Sequence, residues 1–140
     1  MITNIFECGI QTKKKFPLFL SRVRSGFPSP ADDYIEKKLD LNEHLIDHPS
    51  ATFFVKVKGD SMINAGIFSG DMLIVDRSKE ATNNKIVVAV VNSEFTVKRL
   101  RKHSGKITLM PENPNYQPIE ITDTTDFEVW GVVVHVIHSV

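Results

Sequence analysis

The sequence has 140 residues and a formal net charge of zero, with 41% hydrophobic and 24% charged residues. This length and composition are typical of one globular domain with a single apolar core. The neutral total argues against a nucleic-acid-binding protein that works through a broad basic face. No apolar run approaches the roughly 20 residues that span a bilayer, and no signal peptide is visible at the start. We therefore expect a cytoplasmic protein, and the single Cys8 agrees with a reducing compartment.

Charge is unevenly distributed along the chain. The first 31 residues contain five basic residues against Glu7 alone, so the remainder carries the compensating negative charge. The same segment is also rich in apolar residues, which a purely solvated linker does not need. These features predict a basic arm that docks on an acidic body, although a solvated tail would show the same charge.

The first 30 residues are punctuated by Pro17, Gly26, Pro28 and Pro30, which disfavour a continuous helix. A helix is predicted to begin at Ser29, with the serine as N-cap and Pro30 in the first turn. The apolar residues that follow predict one or two short amphipathic turns that end near residues 48–49: Ala31, Tyr34, Ile35, Leu39, Leu45 and Ile46.

After Pro49 the sequence becomes typical of β structure. Seven segments are rich in Val, Ile, Phe and Thr, and Gly, Asn, Ser or Pro turns separate them: 52–57, 72–76, 85–91, 95–100, 106–110, 119–121 and 127–137. This spacing predicts a mostly β fold, with about seven short strands in a compact, partly closed antiparallel body. The last segment could be a dimerisation strand or an interior core strand.

Ser61 is a candidate nucleophile, because it follows a predicted strand in a turn where Gly59 lets the backbone bend sharply. A serine hydroxyl needs a base to accept its proton. The five histidines show no recognisable triad signature, but a lysine can serve as the base if burial lowers its pKa. Lys98 is the candidate, in a strand whose alternation puts Thr96, Lys98 and Leu100 on one face. From the residues alone, Ser61 could equally be an ordinary turn residue and Lys98 an outward-facing strand lysine.

The two residues stand in a pattern that resembles the Ser–Lys signature of the LexA/UmuD family of self-cleaving serine proteases. Gly-Asp-Ser-Met occupies positions 59–62, and Lys98 follows within Glu-Phe-Thr-Val-Lys-Arg-Leu. Further segments are similar to UmuD-type members of the family: 26–31, 40–42, 48–52, 70–76, 110–113 and 130–133. The resemblance extends from about Phe16 to the end, and residues 1–15 contribute little to it.

The resemblance implies a LexA/UmuD-like fold and a set of functional residues. Ser61 would be the nucleophile and Lys98 the general base, and the backbone N–H groups of Ser61 and Asp60 would form the oxyanion hole. The bond cut in the family joins a small residue to glycine, which here is the Ser25–Gly26 bond. UmuD-type members usually carry Cys-Gly there and LexA proteins Ala-Gly, so Ser25 is a departure.

The resemblance also implies how the chain is organised and regulated. Residues 1–25 would be an arm removed by self-cleavage, and 26–140 a catalytic and dimerisation domain that begins with a linker over about 26–50. A RecA nucleoprotein filament on single-stranded DNA would stimulate the cleavage. The processed homodimer would then serve a UmuC-like Y-family DNA polymerase in error-prone synthesis during the SOS response to DNA damage. Neither a cofactor nor sequence-specific DNA binding is implied.

Three rival functions were weighed against this interpretation. A LexA-type repressor would need a helix-turn-helix pattern, and none precedes the β body. A signal-peptidase-like enzyme would need a membrane anchor. A non-catalytic polymerase-binding module with a vestigial dyad stays open, because Ser25 departs from the family pattern. His44 and His48 have metal-ligand spacing, but with no third ligand nearby they are more simply part of a solvated helix face, so no metal site is predicted.

Overall fold

A computed structural model describes residues 2–9, 15–19 and 35–140. The chain forms two compact units, one made of Met1–Cys8 with Ser50–Val140 and the other of Gly9–Pro49. The strands are β1 (Ile2–Glu7), β2 (Lys15–Phe19), β3 (Ile35–Asp40), β4 (Thr52–Val57), β5 (Met72–Asp76), β6 (Ile86–Val91), β7 (Glu94–His103), β8 (Lys106–Met110), β9 (Ile119–Ile121) and β10 (Phe127–Ile137). The helix α1 spans Leu41–Leu45, and short 3₁₀ helices lie at Pro49–Ala51 and Ile63–Ala65.

The larger unit is an eight-stranded antiparallel sheet in the order β1-β4-β5-β10-β6-β7-β8-β9. β1 pairs with β4 and also contacts β7, so the sheet curls back on itself. The predicted mostly β, partly closed body is therefore confirmed, and each of the seven predicted segments is a strand. β7 extends beyond its predicted end to His103, because it pairs with β8 along that extension.

β10 connects the two halves of the sheet. Its first half pairs with β6 and its second half with β5, and the two registers meet at Val132. β10 therefore lies between β5 and β6 in the sheet, and each of its halves is paired with one of them. The apolar side chains beneath the sheet form two clusters, one around Val55, Leu73 and Val75 and the other around Leu100 and Leu109. β10 thus fixes β4 and β5 relative to β6 and β7.

The smaller unit contains an antiparallel pair, β2 with β3, followed by α1. The prediction of helical turns is wrong for Ile35–Asp40, which is β3. Ile35 and Leu39 lie four apart, a spacing that fits a helix face but also one face of a strand, and pairing with β2 decides between them. Asp40 caps α1, because its side chain accepts hydrogen bonds from the backbone N–H groups of Asn42 and Glu43. The predicted helix start at Ser29 lies outside the described residues.

The structure contains two strands, β1 and β2, that were not predicted. Neither β1 nor β2 was expected, because residues 1–30 lack a clear alternation of apolar and polar side chains. Within the described part of the chain, no helix is long and apolar enough to cross a membrane.

Gly131 tests how tightly β10 is held against β5. A Cβ atom at this position would lie 2.5 Å from Cγ1 of Val75, a side chain that is fully buried. We expect Gly131→Ala to lower the free energy of unfolding by about 1–3 kcal/mol, measured by urea denaturation. Gly9→Ala is the control, since nothing lies within 4 Å of its added Cβ. Equal stability of the two variants would contradict the close approach.

Candidate active site

The turn after β4 presents Ser61. β4 ends at Val57, and Gly59 adopts a φ of 102°, a backbone conformation that side chains with a Cβ rarely adopt. Its backbone N–H donates to Ser69 Oγ at 3.1 Å. The next residue after Ser61, Met62, is 3% exposed and belongs to the core cluster that contains Val55 and Val57. The turn is therefore anchored on one side by burial of Met62, while Ser61 itself stays half-buried.

Lys98 lies on β7, and its side chain reaches Ser61. It is 7% exposed, and its neighbours Val97 and Leu100 are also buried. Its Nζ donates hydrogen bonds to Ser61 Oγ at 3.2 Å, to Thr96 Oγ1 at 2.7 Å and to the Val97 carbonyl at 3.1 Å. The fold thus brings together two side chains that are 37 positions apart in sequence.

Burial changes the proton affinity of this lysine. Desolvation penalises the ammonium form, and it lowers the pKa of Lys98 from its ordinary value. A lysine with a lowered pKa is more often neutral near physiological pH, and a neutral amine can accept a proton. The arrangement can therefore transfer the Ser61 hydroxyl proton to Lys98 Nζ.

Thr96 is the second side chain, after Ser61, that accepts a hydrogen bond from the Lys98 amine. Thr96 and Lys98 lie on β7, two positions apart, so their side chains leave the same face of the strand. The Thr96 hydroxyl accepts the shortest of the three hydrogen bonds that Nζ donates. Strand alternation predicts Thr96 on this face, but it predicts no role for the residue, and only the spacing of two from Lys98 could have suggested one.

A loop that follows β8, residues 110–116, holds the carbonyl groups of the serine turn. Asn113 Nδ2 donates to the Asp60 carbonyl at 2.9 Å, and the backbone N–H of Glu112 donates to the Ser61 carbonyl at 2.9 Å. The Glu112 carbonyl in turn accepts from the backbone N–H of Asn64 at 2.9 Å. Together these bonds fix the turn from Asp60 to Asn64.

The Asn113 contact also orients a peptide N–H. In a trans peptide, the C=O of one residue and the N–H of the next point in opposite directions. Because Asn113 holds the Asp60 C=O, it fixes the direction of the Ser61 N–H on the other side of the same peptide plane. Fixed N–H donors of this kind can stabilise negative charge that develops on a substrate oxygen.

Two further side chains support this loop. Tyr116 donates its O–H to Asp60 Oδ1 at 2.5 Å, and this hydrogen bond with the nearby negative charge raises the pKa of Tyr116. Arg99 Nε donates to Glu112 Oε1 at 2.6 Å. Since Arg99 follows Lys98 in β7, the strand that carries the lysine is also tied to the loop that holds the serine turn.

The surface beside these residues is concave. A small cavity of about 10 Å³ lies against Ser61, among residues that include Val57, Met62 and Val97. A larger open cleft of about 570 Å³ begins at Thr96 and is lined by Phe95, Ile119 and Ile2 among others. Thr96, which contacts Lys98 Nζ, is the residue that this cleft shares with the site.

Each predicted site residue can now be located. Ser61 and Lys98 are in contact, and Asp60 belongs to the same turn as Ser61. Ser25 and Gly26 lie outside the described residues. Sequence reasoning missed the roles of Asn113 and Tyr116, although the segment at 110–113 was among those that resemble the family. Among the described residues, no three His, Cys, Asp or Glu side chains lie close enough together to hold a metal ion.

Comparison with known proteins identifies the family of the chain. Residues 17–134 match the family model described as Peptidase S24-like. Protein MucA of Salmonella typhimurium is 44% identical over 137 residues, covering 96% of this chain and 93% of the relative. Protein ImpA of Salmonella typhimurium is 43% identical over 130 residues, covering 87% and 83% respectively.

A relative of different length is also similar. The LexA repressor of Bordetella parapertussis is 40% identical over 120 residues, which cover 86% of this chain but 55% of the repressor. The match to the family model spans most of the chain, and MucA and ImpA match nearly end to end as UmuD-like proteins. The chain therefore belongs to the Peptidase S24-like family of serine peptidases, within its LexA/UmuD group and on the UmuD-like side.

Proposed function

We propose that the protein is a serine endopeptidase that cuts its own Ser25–Gly26 bond, with Ser61 as nucleophile and Lys98 as general base. The observation that carries this proposal is the 3.2 Å hydrogen bond between Lys98 Nζ and Ser61 Oγ, made by a lysine that is 7% exposed. Burying a lysine costs free energy, and a lysine without a role in the site would be expected at the surface. Membership of a self-cleaving peptidase family supports the same chemistry.

In the proposed reaction, Lys98 accepts a proton and gives it up again, first when the peptide bond is cut and then when the ester is hydrolysed. Neutral Lys98 accepts the hydroxyl proton while Ser61 Oγ attacks the carbonyl carbon of Ser25. The oxyanion accepts hydrogen bonds from the backbone N–H groups of Ser61 and Asp60. Lys98 then donates its proton to the nitrogen of Gly26, the C–N bond breaks, and residues 1–25 remain as an ester on Ser61. A water molecule then gives a proton to Lys98 and attacks the ester carbon, the bond to Ser61 Oγ breaks, and Lys98 returns the proton to Ser61 Oγ.

The residues at the proposed bond suit a narrow site. Gly26 has no side chain to obstruct the approach of the backbone to the nucleophile. Ser25 is small, and Val23 two positions earlier could enter an apolar subsite. Because the bond belongs to the same chain, its effective concentration at the site is high, and a weakly active centre can suffice.

We further propose the regulation and the partners that the family resemblance implies. A RecA filament on single-stranded DNA would stimulate cleavage, and residues 26–140 would form a homodimer that serves a Y-family polymerase in SOS mutagenesis. The UmuD-like relatives support an SOS role. Each half of β10 pairs with one described strand, β6 before Val132 and β5 after it, so a dimer contact at β10 would use its side chains or the backbone edge that the described strands leave open along each half.

The rival function is a non-catalytic polymerase-binding module. It would leave the lysine without a reason to be buried against the serine. The hydrogen bonds from Lys98 to Ser61 and Thr96 therefore favour a working dyad over a vestigial one.

Substitution of either dyad residue is the first test. We expect Ser61→Ala and Lys98→Ala to lower the rate of self-cleavage at least about a thousandfold, because each removes a group that the reaction needs. Intact-mass spectrometry would follow the appearance of residues 1–25 and 26–140 at alkaline pH, and again with RecA, ATP and single-stranded DNA. Thermal melting is the control for folding. Cleavage of either variant at the wild-type rate would remove that residue from the dyad.

The rate of self-cleavage should depend on pH through Lys98. Only the neutral amine acts as base, so the rate should fall about tenfold for each pH unit below the Lys98 pKa. Because desolvation lowers this pKa, the midpoint should lie below the ordinary lysine value of about 10.4. The same mass assay across a pH series measures the profile, with Ser61→Ala correcting for uncatalysed hydrolysis. A rate that is flat from neutral to alkaline pH would contradict the assignment of Lys98.

Asn113 should affect the rate without affecting the base. Asn113→Ala removes the donor to the Asp60 carbonyl, and with it the constraint on the Ser61 N–H. We expect the maximum rate to fall about tenfold to a hundredfold while the pH midpoint stays in place, since Asn113 does not contact Lys98. Tyr116→Phe is the comparison, because it removes a contact to the Asp60 side chain only and should cost less. A shifted midpoint, or an unchanged rate, would refute this orienting role.

A further inference from the structure

The strand β1 lies at one edge of the sheet, along the strand that leads to Ser61. It pairs antiparallel with β4, and Ile2 lies opposite Val57. At the far end of the pair, the backbone N–H of Cys8 donates to the Thr52 carbonyl at 3.2 Å. A side-chain bond adds to the ladder, from Thr3 Oγ1 to the Lys56 carbonyl at 3.3 Å. The outer edge of β4 is thus occupied from one end to the other.

An irregularity in β1 places Ile2 and Ile5 on the same face of the strand. The register shifts between Ile2 and Asn4, so that one more residue is used on β1 than on β4. In a regular strand Ile2 and Ile5 would point to opposite faces. With the shift, Ile2 lies opposite Val57 and Ile5 opposite Val55, and both partners belong to the same buried cluster.

β1 also reaches the strand that carries the lysine. It contacts β7 as well as pairing with β4, and Ile2 lines the open cleft together with Phe95 and Thr96. Thr96 bonds to Lys98 Nζ, while Val57, the partner of Ile2, lines the small cavity at Ser61. The start of β1 therefore lies beside both halves of the proposed dyad.

This position matters because an extended peptide commonly binds by adding a strand to a free sheet edge. Without β1, the edge of β4 next to the serine turn would be a free edge of this kind. In the structure, β1 is hydrogen-bonded to the backbone groups of that edge. We propose that β1 is an inhibitory strand, which occupies the edge of β4 where the segment around Ser25–Gly26 would bind and has to leave before that bond can be cut. This inference rests on the proposed self-cleavage by Ser61 and Lys98.

The contacts of β1 suit a strand that detaches. Five of its six residues are exposed, and only Ile2 is half-buried against the core cluster. Edge elements with few buried contacts open at a low cost in free energy. The observed cleavage rate is then the intrinsic rate multiplied by the fraction of chains in which β1 is detached. Removing β1 should raise that fraction to one.

A deletion of residues 2–8 tests the inference in the otherwise complete chain. We expect self-cleavage at alkaline pH, followed by intact mass, to be at least about tenfold faster than in the wild type. Ile5→Asp should accelerate it in the same direction, because it places a carboxylate opposite Val55. Asn4→Asp is the control, since it adds the same charge opposite Lys56, where a carboxylate does not disfavour docking of β1, and it should not raise the rate.

Cys8 supplies a second measurement that needs no cleavage. It is the single cysteine of the sequence, and its backbone bond to Thr52 places it at the end of the β1–β4 pair. Burial raises the pKa of its thiol, which slows labelling while β1 is docked. In the Ser61→Ala background, Ile5→Asp should speed labelling of Cys8 at least about fivefold, and Asn4→Asp should not.

The outcomes separate the two proposals. If the wild type cleaves and the deletion cleaves no faster, the inhibitory role of β1 is overturned while the dyad stands. If Cys8 of the Ser61→Ala chain labels as fast as in urea, β1 is not docked, and the inference fails for that reason. If neither the wild type nor the deletion cleaves under any condition, the proposed self-cleavage itself is refuted.

Discussion

The burial of a lysine amine beside a serine hydroxyl is the contact on which the rest of the site depends. A lysine that is 7% exposed loses most of its hydration, and the fold compensates with the hydroxyl of Thr96, the carbonyl of Val97 and the hydroxyl of Ser61. These three acceptors hold Nζ in one position but do not neutralise it. The pKa of Lys98 is therefore lowered, and the amine is available as a base because no carboxylate is paired with it in these contacts.

The hairpin of β7 and β8 couples the two halves of the site. Lys98 lies on β7, and the loop that fixes the serine turn leaves the end of β8. Arg99 pairs with Met110 across the hairpin and bonds to Glu112 just beyond it. The hairpin thus carries the proposed base, and the loop that follows it carries Asn113, which orients the Ser61 N–H. Contacts from β7 and from residues 110–116 converge on a turn that Ser69 and the buried Met62 also hold.

The sequence predicts the β body well because its strands show strong local signals. Seven segments of β-branched and aromatic residues stand between clear turn residues, and all seven are strands. The pairing of Ser61 with Lys98 depended on resemblance, since neither residue type is rare and the two are 37 positions apart. The donor role of Asn113 could not be predicted, because it depends on a contact between two loops that no periodicity records. β3 was misread as helix because Ile35 and Leu39 satisfy either period.

β1 was missed for a related physical reason. Ile2 and Ile5 share one face only through the register shift after Ile2, and this shift destroys the alternation that would have revealed a strand. The contact between β1 and the core is small, because only Ile2 and Ile5 of β1 lie opposite the buried valines of β4. A longer, regular strand at this edge would bury more surface and would be harder to displace. Under the two proposals, cleavage at Ser25–Gly26 also severs β1 from the body. The inhibitory strand then leaves with the released arm, and the edge of β4 becomes free to pair with another extended segment.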